Sequence, residues 1–205
     1  MRTFKQPTLF HKIIYYHAVW STYLLFRLFL RLELHGMENI PAKGGVLLCP
    51  NHVSYADPPL IGASVRRMIH FFAKQELFQN PFMGWYLTQL NSFPVKRFSH
   101  DVGAFKQGQF LLEQGEAVVL FPEGHRSKTG ELGKAKLGVA MLAYKAKVPV
   151  IPIYIKNSNG LKQLKKISIY FGAPIYPPPT EDERAEYQPF SDRVLEAVAA
   201  LKSKC

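Results

Sequence analysis

A histidine and an aspartate stand five positions apart in Asn51-His52-Val53-Ser54-Tyr55-Ala56-Asp57-Pro58-Pro59. The residues before them, Val46-Leu47-Leu48-Cys49, form an apolar run that predicts a short buried strand, and Pro58 predicts the first residue of a helix with Asp57 as its N-cap. His52 is therefore expected in a strand-to-helix loop, where open α/β sheets present side chains to a crevice. A neutral imidazole there can take a proton from a hydroxyl, and a carboxylate on its other ring nitrogen would hold the tautomer and offset the imidazolium charge. The same residues also allow a plain loop histidine beside a helix-capping aspartate.

A second stretch delivers charged groups in the same way. Ala117-Val118-Val119-Leu120-Phe121 predicts a buried strand and runs into Pro122-Glu123-Gly124-His125-Arg126-Ser127. A Glu123–Arg126 salt bridge that shapes the loop is one reading of this pair, and Ser127 reads as a turn or helix cap. There is no GxSxG nucleophile elbow, no HExxH and no GxxxxGK[ST], so hydrolases and nucleotidases that depend on those motifs lack their defining parts. Cys49 ends an apolar run and reads as a packed hydrophobe rather than a nucleophile. With no enzyme nucleophile in evidence, the substrate must bring its own.

The pattern NHxxxxD, followed about 70 residues later by FPEGxRS, resembles the glycerolipid acyltransferase family. Two weaker blocks, Phe93-Pro94-Val95-Lys96-Arg97 and Val148-Pro149-Val150-Ile151-Pro152-Ile153, follow the family's order, and the resemblance covers roughly residues 31–175. Two positions depart from the family's pattern. His125 stands where Thr is usual, and Lys96 where Asp often precedes the arginine. The resemblance implies direct acyl transfer from acyl-CoA or an acyl carrier protein to lysophosphatidic acid, giving phosphatidic acid for phospholipid synthesis. It implies His52 as general base with Asp57 as its partner, and Arg97, Glu123, Gly124 and Arg126 as the acceptor-binding set. It implies no metal and no tightly bound cofactor. An acceptor other than lysophosphatidic acid would leave the chemistry unchanged, whereas a noncatalytic membrane-binding protein would not need His52.

The elements that must position these residues follow from patterning. With 205 residues, 47% hydrophobic and 20% charged, the chain supports one catalytic domain with an N-terminal appendage, divided as 1–30 and 31–205. A formal net charge of +11 calls for an acidic partner. The absence of RNA-recognition, zinc-finger and helix-turn-helix signatures turns that reading away from nucleic acid and toward an anionic membrane surface or a phosphorylated substrate. Two cysteines, Cys49 and Cys205, make no disulfide framework, so a reducing environment and the cytoplasmic face of a membrane are expected.

Residues from Leu9 to about Leu30 predict a helix. Its charge-free run, Ile13 to Phe26, is shorter than the ~18 residues expected of a membrane span, and no cleavage site follows it. Lys12, Tyr16, Trp20, Tyr23, Arg27 and Arg31 recur every three or four residues opposite Ile14, Val19, Leu25, Leu28 and Phe29, the pattern of a helix lying at the headgroup level. Packing on the domain's own core is the alternative. Further strands are predicted at 32–35, 69–73, 92–95, 150–155 and 167–171. Helices are predicted at 58–64, 101–113, 135–147 and 184–202, with a broken helical region over 74–90 interrupted at Pro81. Strands alternating with helices give an α/β domain with a mainly parallel sheet flanked by helices.

Overall fold

Alternating apolar side chains in the central strands explain the layering. In a strand successive side chains face opposite ways, so a strand covered on both sides must be apolar throughout. The computed structural model describes residues 7–96, 101–127 and 129–203, apart from the side chain of Lys162. Its sheet has seven strands: β1 (Glu33–His35), β2 (Val46–Pro50), β3 (Ile69–Lys74), β4 (Ser92–Val95), β5 (Ala117–Val119), β6 (Val150–Lys156) and β7 (Ser168–Phe171). The spatial order is β1-β7-β6-β2-β5-β3-β4. Every neighbouring pair is parallel except β6 with β7. Val46 and Leu48 of β2 join one core with Leu60, Ile61 and Phe26, while Leu47 and Cys49 join the other with Leu111, Val139 and Phe190.

The helices are α1 (Leu9–Phe29), α2 (Asp57–Ser64), α3 (Pro81–Gln89), α4 (Val102–Glu113), α5 (Gly138–Ala146) and α6 (Glu183–Lys202). Asp101, read as the first residue of the helix predicted at 101–113, is instead the N-cap of α4, its Oδ1 accepting the Ala104 N–H at 3.0 Å. Other expectations need correction, among them the strand read over 117–121, which ends at Val119. Asp57 does not cap α2: Ala56 is the N-cap, and Asp57 is the first helical residue with its carboxylate turned back to the preceding loop. Pro81 opens α3 rather than interrupting a helix, because β3 runs on to Lys74 and a 3-10 turn over Gln75–Phe78 intervenes. Asn80 caps this helix from the Met83 N–H at 3.0 Å. The helix expected from Ala135 begins only at Gly138.

α1 has both faces that the sequence left open. Tyr15 and Phe26 are buried against the domain, and the Tyr15 hydroxyl accepts the Ile69 N–H at 3.1 Å. Burial pushes the Tyr15 phenol up to about 12. Leu9, Phe10, Ile13, Tyr16, Trp20, Leu24, Leu25, Leu28 and Phe29 are exposed, whereas Ile14, Val19 and Tyr23 are half-buried. The outward stripe is thus more apolar than the predicted one. No helix among the described residues is long and apolar enough to cross a membrane. His35 lies on the exposed face of β1, stacked on Tyr170.

Candidate active site

The order β2-β5-β3-β4 brings the carboxyl ends of four parallel strands to one rim. His52 follows β2, Glu123 to Ser127 follow β5, Lys74 ends β3, and Lys96 follows β4. Arg97, which the sequence places beside Lys96, lies outside the described residues, as does Cys205.

The loop bearing His52 is strapped to its neighbours through its backbone. Asn51 holds β6 by a reciprocal pair: its Nδ2 donates to the Ile155 carbonyl at 3.2 Å, and its Oδ1 accepts the Ile155 N–H at 2.7 Å. Both main-chain groups of His52 go to the loop after β5. Its N–H donates to Glu123 Oε1 at 3.2 Å, and its carbonyl accepts the Ser127 N–H at 2.8 Å. Two motifs about 70 residues apart in sequence are thereby locked into one unit.

The imidazole itself is buried and stacked on Phe121, with ring centroids 3.9 Å apart. Asp57 Oδ2 lies 2.8 Å from His52 Nδ1 and also accepts the N–H groups of Val53 and Ser54, each at 2.7 Å. A carboxylate oxygen that already accepts two amides leaves the donor role to Nδ1, so in the neutral ring Nε2 carries the basic lone pair. Asp57 is fully buried, and its other oxygen, Oδ1, has no hydrogen-bond partner among the described residues. The pair has the orientation of a carboxylate-directed general base.

The remaining site residues lie in the loop after β5. Glu123, assigned by resemblance to acceptor binding, is 1% exposed. Its Oε1 takes the His52 amide, and its Oε2 takes the Gly133 N–H at 2.8 Å. The Glu123–Arg126 salt bridge is absent; backbone amides occupy the carboxylate instead. Gly124 turns the chain with φ +71°, a conformation that disfavours side chains, and its N–H returns to the Phe121 carbonyl at 3.0 Å. His125, at the position where the family usually has Thr, donates from Nδ1 to the Glu123 carbonyl at 2.8 Å. Ser127 is a turn cap whose Oγ accepts the Gly130 N–H at 3.1 Å. Arg126 lays its guanidinium over the Tyr55 ring, 3.5 Å from the centroid, and Tyr55 is 80% exposed. Stacking uses the guanidinium face and leaves its N–H edge to meet a ligand.

A cavity of about 590 Å³ opens on this rim, lined by His52, Tyr55, Phe121 and Arg126 together with side chains of α1, α2, β3 and α3. Most of that wall is apolar: Val19, Pro58, Ala63, Phe71 and Leu87 are among it. Three participants were missed in the sequence. Lys74 lines the cavity and pairs with Glu76 at 3.4 Å; its place directly after an apolar strand run, like that of the loops bearing His52 and Glu123, was the available signal. Tyr55 and Asn51 sit inside the histidine motif, but nothing in their spacing shows what they touch. Cys49 is buried in the core and desolvation drives its thiol pKa far up, which leaves it no role as a nucleophile.

A buried His–Asp pair whose histidine lines a largely apolar cavity together with an arginine suits transfer of an acyl chain to a substrate hydroxyl, and known proteins match the chain accordingly. The sequence profile of the acyltransferase family matches residues 31–156. The chain belongs to the acyltransferase family. Among curated acyltransferases it is 31% identical over 149 residues to the 1-acyl-sn-glycerol-3-phosphate acyltransferase of Bacillus subtilis, a match spanning 71% of this chain and 74% of that protein. It is 32% identical over 155 residues to a chloroplastic 1-acyl-sn-glycerol-3-phosphate acyltransferase of Arabidopsis thaliana, spanning 74% of this chain but 42% of that longer protein. Among solved acyltransferase structures, the 1-acyl-sn-glycerophosphate acyltransferase of Thermotoga maritima superposes with a TM-score of 0.74 at 25% identity, over 98% of this chain and 85% of that one. The acyltransferase match contains His52, Asp57, Arg97, Glu123, Gly124 and Arg126.

Proposed function

We propose that the protein transfers a fatty acyl group from an acyl thioester, acyl-CoA or acyl carrier protein, to the free hydroxyl of 1-acyl-sn-glycerol-3-phosphate, forming phosphatidic acid. The observation that carries this reading is the His52–Asp57 pair, 2.8 Å apart, with His52 lining a largely apolar cavity that Arg126 also lines. His52 Nε2 accepts the proton of the acceptor hydroxyl as its oxygen attacks the thioester carbonyl. The tetrahedral adduct collapses with cleavage of the C–S bond, and the imidazolium returns the proton to the departing thiolate. Products are an ester and a free thiol, so atoms and charges balance without an oxidant or a covalent enzyme intermediate. Asp57 stabilises the imidazolium that forms between the two proton transfers.

The phosphate falls to Arg126, whose free edge suits paired phosphate oxygens, together with Arg97. Lys74, paired with Glu76, lines the same cavity. The apolar walls take an acyl chain. Gly124 supplies the turn that sets Arg126 beside the histidine loop, and Glu123 holds that loop in place. Residues 1–30 form the membrane-interface segment and residues 31–205 the catalytic domain. Docking through the apolar and cationic face of α1 places the enzyme on the cytoplasmic face of an anionic membrane as a peripheral or monotopic protein. A different lysolipid acceptor is favoured only by the changes at Lys96 and His125. Purified protein assayed with a panel of lysolipids and both donor types tests the assignment: phosphatidic acid from lysophosphatidic acid supports it, and preference for a headgroup-bearing lysolipid overturns the acceptor.

A further inference from the structure

We propose that α3 is a second membrane-docking element, seating Phe82, Met83 and Trp85 in the interfacial layer of an anionic bilayer beside α1. The residues of α3, Pro-Phe-Met-Gly-Trp-Tyr-Leu-Thr-Gln, include no charge. A surface helix of a globular protein normally turns polar residues to water. Here Phe82, Met83, Trp85 and Tyr86 are exposed, and Gly84 is the one buried residue of the helix. Gly84 lets the helix approach the turn before it, since a Cβ there would meet the Phe78 carbonyl oxygen at 3.1 Å. That turn exposes Leu77 as well. The Phe82 and Trp85 rings lie 6.2 Å apart, so the exposed residues form a cluster rather than scattered single contacts.

Position and charge select a bilayer as the occupant. α3 and α1 touch one another and both line the cavity that contains His52, α3 through Tyr86 and Leu87 and α1 through Tyr15, Ala18, Val19 and Thr22. His11 Nε2 of α1 meets Asn91 Oδ1, in the link from α3 to β4, at 2.9 Å. Two adjoining helices thus each expose apolar side chains, nine large ones on α1. Residues 1–32 contain Arg2, Lys5, Lys12, Arg27 and Arg31 and no acidic residue, a charge pattern complementary to anionic headgroups. Near α3, Lys74 and Glu76 offset one another. Tryptophan and tyrosine with flanking cations are the residue types that settle at a membrane–water boundary. Two docked helices flanking one cavity would let a lipid acceptor reach His52 without leaving the interface.

The inference extends the docking proposed for α1, and the chain allows the two to be separated. It contains two tryptophans, Trp20 on α1 and Trp85 on α3, which are 66% and 49% exposed. In Trp20→Phe, Trp85 is the sole indole. Added vesicles of phosphatidylcholine and phosphatidylglycerol should shift its emission to the blue, and brominated acyl chains should quench it. Trp85→Phe reports α1 in the same way. A response from Trp20 with none from Trp85 overturns the role of α3 while leaving α1 docked; silence from both removes both assignments. A concentration-dependent blue shift of Trp85 without lipid, accompanied by dimers in sedimentation, would give the face to a second copy and overturn the proposal. The Phe82→Ser, Trp85→Ser double variant alters side chains that the domain does not bury, and it should lower vesicle partitioning by about tenfold or more. Unchanged partitioning contradicts the inference.

Discussion

Replacing Glu123 by Gln tests whether the two motif loops work as one unit. The side chain is 1% exposed, and its two oxygens accept the amides of His52 and Gly133 at 3.2 and 2.8 Å. Gln keeps the shape but offers one acceptor, so its NH2 group faces a backbone N–H and one buried amide loses its partner. Loss of a charge-assisted hydrogen bond costs about 1.5–3 kcal/mol and an unsatisfied buried donor about 1–3 more. Removing a buried charge recovers part of this through its desolvation. The net destabilisation expected is about 2 kcal/mol, read as a lowered urea midpoint at unchanged m-value. The activity effect is on kcat, because the His52 amide is what moves; displacement on the order of 1 Å can cost about 100-fold. Steady-state kinetics with lysophosphatidic acid should show kcat reduced by about 10- to 100-fold with the acceptor KM within about threefold of wild type. A large KM rise at wild-type kcat would refute the reasoning and return Glu123 to direct contact with the acceptor.

Three side chains give further checks. Arg126→Ala should raise KM for lysophosphatidic acid by about tenfold or more and leave the matching monoacylglycerol nearly unaffected, whereas equal losses on both acceptors would remove Arg126 from the phosphate. Tyr55→Ala, which removes the stacking partner of that guanidinium, should raise the same KM by about 3- to 10-fold, and Tyr55→Phe should restore it; failure of Phe to rescue would show that the ring is not what positions Arg126. Glu116, whose carboxyl is held below its ordinary value chiefly by the hydrogen bond from His70, contributes stability that is present above its unfolded value near 4.5 and lost as pH falls through the lower folded one. Thermal midpoints followed from pH 6 to pH 3 should therefore fall more steeply for wild type than for Glu116→Gln, and parallel curves would dismiss this contribution.

The architecture was largely legible because the signals for it are local. Short β-branched and apolar runs at 46–49, 117–121 and 150–155 need no partner to declare a buried strand, and turns rich in Gly and Pro divide them. The His–Asp pair was legible for a related reason: His52 and Asp57 lie five positions apart, so spacing alone brings them together. What spacing does not carry is the donor each carboxylate meets. Asp57 before two prolines has the local form of a cap, yet three donors converge on its Oδ2 from the preceding loop and win over the helix end. Glu123 and Arg126, three positions apart, have the local form of an ion pair. Their separation follows from contacts made across the fold, with the His52 amide for one and the Tyr55 ring for the other. The burial of His52 against Phe121 is a tertiary fact as well, since both sit in segments that read only as loop and strand end. On α1 the sequence announced a two-sided helix, but only packing could decide that Tyr15 and Phe26 turn inward.

The central claim is that His52 Nε2 takes the acceptor's proton, and one comparison tests it most directly. Initial rates of acyl transfer from an acyl thioester to lysophosphatidic acid should be measured for wild type and His52→Ala, each shown by circular dichroism to hold the same fold. Loss of at least about 100-fold in kcat, with the fold retained, is the result the account predicts. Transfer at a rate near wild type by the folded His52→Ala protein would contradict it.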